Sequence, residues 1–218
     1  MPQQKADYAD DTEIDEALDQ PADDETVEKT VANLEERGFE VVVVDSADEA
    51  LDAVQSQIPA EASVMNGHST TLEEIDFDEY LSDGDHEWES IPDQIWSIDD
   101  DAERQTARRE SQTADYFLGG INAVAQTGEL VAADLSGSRI GAYPFAAGNV
   151  VIVTGTNKIV PTLSDALDRL ESVAYPLENE RAQEAYGVES SIAKQLIYRR
   201  ETEEGRTTVV LVREQLGY

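Results

Sequence analysis

The run 113–161, TADYFLGGINAVAQTGELVAADLSGSRIGAYPFAAGNVVIVTGTNKIVP, constrains the fold more than any other part of the chain. It sets two short apolar strands, 129–133 and 149–154, among glycines and a few polar residues. Asn122, Thr127, Arg139, Asn157 and Lys158 gather at the ends of those strands. That is the pattern of a binding cleft in an α/β domain, where ligands sit outside the carboxyl ends of the strands.

The rest of the chain supplies the alternation such a fold needs. Val27, Val31 and Leu34 share one face of a helix that starts near Asp24, and Gly38 stands where a C-cap belongs. Residues 39–44 then form a continuous apolar strand. A second helix over 47–57 carries Ala50, Leu51 and Val54 inward, Pro59 breaks it, and 62–65 make a short strand. Helix and strand in alternation predict a single-domain, mostly parallel sheet flanked by helices.

Segment 71–103 reads as short helices lying across the body, anchored by Phe77, Leu81, Ile95 and Trp96, with a boundary at Ile91 and Pro92. A longer helix is expected over 101–125, carrying Tyr116, Phe117, Ile121 and Val124. Thr162 and Ser164 are candidate caps for a helix with Ala166, Leu167, Leu170 and Val173 inside, which Pro176 should end. Strands over 192–198 and 207–213 close the chain. Residues 1–23 hold many acids and few apolar side chains, as expected of a frayed arm before a domain spanning 24–218.

Charge bounds the setting. Against 48 Asp and Glu stand 15 Lys and Arg, a formal net charge of -33, and the only lysines are Lys5, Lys29, Lys158 and Lys194. At molar salt the Debye length falls to ~3 Å, so such self-repulsion is screened while hydrated carboxylates maintain solubility. The composition therefore points to the cytoplasm of an extreme halophile. Nucleic acid is a poor partner, since phosphate neutralisation needs clustered Lys and Arg.

No apolar run reaches the ~18 residues of a membrane helix, and the amino terminus is acidic where a secretory signal is basic and then apolar. The sequence has no cysteine, so this chain can offer no thiolate nucleophile and no cysteine-ligated cluster. Its two histidines, His68 and His86, argue against a multi-histidine metal site, and no cofactor is expected on this chain.

Several residues carry chemistry. Asn66, Gly67, His68 and Ser69 link a strand to a helix, as either an anion loop or a tight turn with Ser69 or Thr70 as N-cap. Gly119 and Gly120, in a predicted helix, each cost ~1 kcal/mol and imply close packing or close approach of a ligand. Thr127, Gly128 and Glu129 form a turn whose carboxylate is a candidate nucleophile or base, against the plainer reading of a surface acid. Arg139 offers a planar fork to a carboxylate or phosphate, or else pairs with Asp134. Gly155, Asn157 and Lys158 end the strongest strand and are expected to face a ligand. Glu178, Asn179, Glu180 and Arg181 fall in one turn and read as surface pairs.

The motifs NGHSTTLEEI, ADYFLGGINAVAQTGELV, GSRIGAYPFAAGNVVIVTGTNKIV and TTVVLVREQLGY together resemble the LUD-domain family of lactate utilization proteins. The likeness spans about 25–218. It implies a fold related to CoA transferases, ribose-phosphate isomerase and formyltetrahydrofolate cyclo-ligase. It also implies an accessory subunit beside iron-sulfur partners that oxidise lactate to pyruvate. Some relatives carry a cysteine-rich insertion in the carboxy-terminal third, where this chain has LENERAQEAYGVESSIAKQLIYRRETEEG. The alternatives are a CoA-transferase-like enzyme acting on a small anion, or a module that binds such an anion without turnover.

Overall fold

The computed structural model describes residues 4–9 and 12–218. A short helix α1 (Ala6–Ala9) precedes α2 (Asp24–Glu36), whose N-cap Asp23 accepts from the Thr26 amide at 2.9 Å. Gly38 follows at φ +86, a conformation only glycine adopts cheaply, and turns the chain into β1 (Glu40–Val44). Then come α3 (Ala47–Gln57) and β2 (Ser63–Asn66). Three short helices, α4 (Thr70–Glu74), α5 (Phe77–Asp83) and α6 (Ile91–Trp96), cross the body, with a two-residue β3 (Glu89–Ser90) between the last two. Phe77, Leu81 and Ile95 are buried as expected, but Trp96 is 72% exposed.

The long helix expected over 101–125 is a correction. Helix α7 (Asp101–Glu110) stops early, and Tyr116–Gly120 form β4, followed by β5 (Ala123–Ala125) and β6 (Leu130–Asp134). Phe117 and Leu118 point to opposite faces of β4 and both are fully buried, which a central strand covered on two sides requires. The chain continues through α8 (Ser138–Gly141), β7 (Asn149–Gly155), β8 (Ile159–Val160) and α9 (Leu163–Arg169). Thr162 caps α9 in a reciprocal box with Asp165.

Pro176 does not end that helix. A wide turn over Leu170–Ala174 leads straight into α10 (Tyr175–Tyr186), with Pro176 in its first turn. Proline has no amide to give the Ser172 carbonyl four residues back; that oxygen accepts instead from the Asp15 amide at 3.1 Å. Two strands, β9 (Lys194–Tyr198) and β10 (Thr207–Val212), finish the fold.

Six strands form one all-parallel sheet in the order β1-β10-β7-β4-β2-β3. The other four make a smaller mixed sheet, β8-β5-β6-β9. Strand β6, read in the sequence as one of two core strands with β7, lies in this second sheet. Apolar clusters fill both faces of the large sheet, and a third lies between the small sheet and α9 and α10.

The described part of the acidic arm is tied to this third cluster, against which Ile14 and Leu18 pack. Asp19 is 3% exposed and ion-paired to Lys5 and to Arg169, the latter at 2.7 Å. Residues 1–3, 10 and 11 of that arm lie outside the described residues.

Candidate functional site

Because the large sheet is parallel, β2, β4 and β7 end at one edge. There the chain leaves a cavity of about 690 Å³. Segment 65–71 at the end of β2, Gly120 to Asn122 at the end of β4, and Lys158 after β7 all line it, which is where open α/β sheets receive ligands.

The turn after β2 is built on backbone contacts. The Gly67 amide donates to the Leu118 carbonyl at 2.9 Å, and Ser69 caps α4 by accepting from the Leu72 amide. Asn66 donates from Nδ2 to Asp78 at 2.5 Å. Burial and then the Glu73 charge push the Asp78 carboxyl up to about 6. His68, at the cavity wall, places Nδ1 3.2 Å from Glu73.

A glycine at 67 makes room for Arg139, whose side-chain carbons would lie 3.1–3.3 Å from an added Cβ. Arg139 follows the alternative left open in the sequence: it pairs with Asp134 at 3.1 Å and donates to the Ala133 carbonyl at 2.8 Å. Its Nε nevertheless has no hydrogen-bond partner among the described residues. Asn122 is held by its Oδ1, which accepts from the Ala133 amide at 2.8 Å.

Lys158 is 1% exposed. Its Nζ donates to Thr71 Oγ1 at 2.8 Å and to the Ile121 carbonyl at 3.1 Å. Burial, and after it the charge of Arg169, hold this amine well below the usual lysine range.

Gly119 and Gly120 answer to packing. A Cβ on Gly119 would overlap the hydroxyl of the fully buried Tyr143 and come within 3.2 Å of Arg139 Cδ. Tyr143 in turn donates to the Gly120 carbonyl at 2.8 Å. Gly119→Ala is expected to cost about 1–3 kcal/mol by overpacking, since a buried ring has nowhere to retreat. Denaturant unfolding checks this, and a stability within about 0.5 kcal/mol of the parent, the scatter of surface changes, contradicts it.

Five of the proposed site residues lie elsewhere. Thr127 and Gly128, with φ +93 at Gly128, turn β5 into β6 rather than a helix into a strand. Glu129 does not line the cavity: it receives Arg37 at 2.9 Å and the Thr127 hydroxyl at 2.5 Å, with Arg199 at 3.5 Å. A carboxylate so engaged is placed as an anchor and not as a free base. Asn157 is fully buried, donating to Asp19 at 2.9 Å and accepting from the Leu216 amide at 3.1 Å. Gly155 admits that same carboxy-terminal backbone, with Glu214 O 2.6 Å from an added Cβ.

The cavity also holds residues that sequence reasoning missed. Glu178 and Arg181, read as surface pairs, form a two-point ion pair at 2.8 Å on the cavity wall, and Arg181 is only 3% exposed. Tyr218 donates its hydroxyl to Glu178 at 2.8 Å, and burial raises its pKa. The i, i+3 spacing of Glu178 and Arg181 announces a pair, but its closure by Tyr218 has no sequence signal. Among the described residues no cluster of three or more Asp, Glu or His is placed to hold a metal.

No protein of curated description matches the chain. Among solved structures it is similar to a DUF162 family protein from Deinococcus radiodurans, at 13% identity and a TM-score of 0.49. That alignment covers 86% of this chain and 96% of the other. The LUD domain matches residues 27–212, a span that contains every strand of both sheets and most of the cavity wall, and the chain belongs to the LUD domain family.

Proposed function

We propose that this protein serves lactate utilization as a non-redox subunit beside iron-sulfur proteins that oxidise lactate to pyruvate, and that its cavity holds a small 2-hydroxy or 2-oxo acid. Membership of the LUD domain family makes it a lactate-utilization-type protein in the general sense. The observation that carries the rest is the cavity at the carboxyl edge of β2, β4 and β7, lined by Arg139 with an unpartnered Nε and by Lys158. A guanidinium donor and a buried amine in one enclosure suit a small carboxylate bearing a second oxygen function.

The cluster chemistry is assigned to partners because the sequence contains no cysteine to bind iron-sulfur clusters. The setting proposed is a cytoplasm of molar salt, and among the described residues no helix is long and apolar enough to cross a membrane.

Calorimetric titration with lactate and pyruvate in molar KCl tests the ligand. Saturable binding of at least one is expected. At a hundredfold excess over Kd it adds ~2.7 kcal/mol and raises Tm by roughly 5–10 °C for a chain of this size. Arg139→Lys, which keeps the charge and loses the planar fork, is expected to weaken that binding. Flat titrations with both acids would remove the ligand from this reading.

A further inference from the structure

Lys158 has an arrangement that a charged lysine does not need. An ammonium carries three donors and no acceptor, whereas a neutral amine carries two donors and one lone pair. Its Nζ has two acceptors, Thr71 Oγ1 at 2.8 Å and the Ile121 carbonyl at 3.1 Å. It makes no ion pair among the described residues. Glu74 is the carboxylate whose charge reaches it, yet Glu74 is held by the Lys5 and Gly217 amides at 2.8 and 2.6 Å. Arg169, Lys5 and Arg139 surround the amine with positive charge and, after burial itself, oppose its protonation.

We propose that Lys158 is a catalytic nucleophile that forms an imine with the carbonyl carbon of a small 2-oxo acid bound in the cavity. This rests on the reading of the cavity as a site for such an acid. The Nζ lone pair attacks the carbonyl carbon, the C–N bond forms, and the carbonyl π pair moves to oxygen, which takes one amine proton. That hydroxyl then leaves with the second amine proton as water, giving the C=N bond and consuming no oxidant. The Thr71 hydroxyl, an acceptor for the free amine, becomes a donor to the imine nitrogen. Arg139 Nε supplies the donor for the substrate carboxylate. Gly217, where a Cβ would stand 3.1 Å from Nζ, leaves room beside the amine.

The test is incubation of the whole chain in molar KCl with pyruvate and sodium cyanoborohydride, followed by intact mass measurement and peptide mapping. One carboxyethyl group per chain is expected, confined to the Lys158 peptide, with none when lactate replaces pyruvate. Lys158→Arg should lose it, and mapping on the parent protein gives the answer even if that variant folds poorly. Modification spread evenly over Lys5, Lys29, Lys158 and Lys194 overturns the proposal. Calorimetry on the same samples separates the two readings: pyruvate binding without an adduct defeats the imine alone, while no binding of either acid defeats both.

Discussion

Replacing Asp19 with alanine is expected to destabilise the protein by about 3–5 kcal/mol, the usual consequence of stranding a buried charge. One carboxylate here receives four donors. Oδ1 accepts from Arg169 at 2.7 Å and Asn157 at 2.9 Å, while Oδ2 accepts from Lys5 and, at 2.9 Å, Gln215. Arg169 is fully buried, and burial pulls its guanidinium down to about 10 against the field of Asp19. Without Asp19 that guanidinium keeps the Asn122 carbonyl as its remaining partner. The loss also removes the hydrogen bonds by which Asn157 and, near the close of the chain, Gln215 hold the Asp19 carboxylate.

The pH dependence follows with a definite sign. Burial alone would raise the Asp19 pKa, but the hydrogen bond from Lys5 and the field of Arg169 outweigh it and leave it lowered. The stabilisation is therefore complete above the unfolded carboxylate range and fades as pH falls through the folded value. Buried pairs are poorly screened, so the effect should persist in molar KCl. Urea unfolding of Asp19→Ala at neutral pH measures it, and a cost below ~1 kcal/mol, the worth of an exposed pair, would contradict the account.

Arg206→Met is expected to cost as much, about 3–5 kcal/mol, at the far end of the large sheet. Arg206 is 6% exposed and gives Nη1 to Glu201 at 3.0 Å and to the Tyr143 carbonyl at 2.9 Å, and Nη2 to the Ala147 carbonyl at 3.1 Å. Methionine restores the stem and none of the donors. Glu201 also accepts from Tyr198 and, at 2.7 Å, from Thr207. Burial would raise its pKa, yet these hydrogen bonds, led by that from Tyr198, bring it down to about 2 from 4.5.

That shift contributes stability that is complete above pH 4.5 and lost progressively toward pH 2, because the unfolded chain binds the proton more tightly. In Arg206→Met the folded pKa rises and the acid sensitivity should flatten in part, since Tyr198, Thr207 and the Glu203 amide still hold the carboxylate. Unfolding curves between pH 5 and 2, a window of about the width of that shift, check both the depth and the slope. An unchanged slope would show that Arg206 takes no part in holding the Glu201 carboxylate.

The alternation of helices and strands was legible in the sequence because its caps and β-branched runs are local. Asp23, Ser46 and Thr162 cap their helices through their own side chains, and 41–44 is a bare run of valines. The 101–125 segment was not legible from periodicity: Phe117, Ile121 and Val124 fit helical spacing, yet a strand covered on both faces is also continuously apolar. Gly119 and Gly120 carried the discriminating signal, since a helix would have suffered from both. Pro176 misled because the donor that replaces its missing amide belongs to Asp15, far away in sequence.

The cavity was half legible for the same reason. Asn66, Gly67, His68, Ser69, Asn122, Arg139 and Lys158 meet there because strand ends can be placed from pattern. Asp78, Glu178 and Tyr218 arrive from segments whose docking no local rule fixes. Asn157 was drawn to the wrong role by its neighbour Lys158: one turn after β7 sends the lysine into the cavity and the amide against Asp19 and the carboxy-terminal residues.

We propose that this LUD domain protein works as a cluster-free subunit of an iron-sulfur lactate-oxidising system. Affinity purification from the native host in molar salt, with mass spectrometry and an iron assay of the eluate, tests it directly. Stoichiometric recovery of iron-sulfur subunits is expected, with iron that stays with them when this chain is stripped away. Recovery of the protein alone and free of iron, from cells growing on lactate, would contradict it.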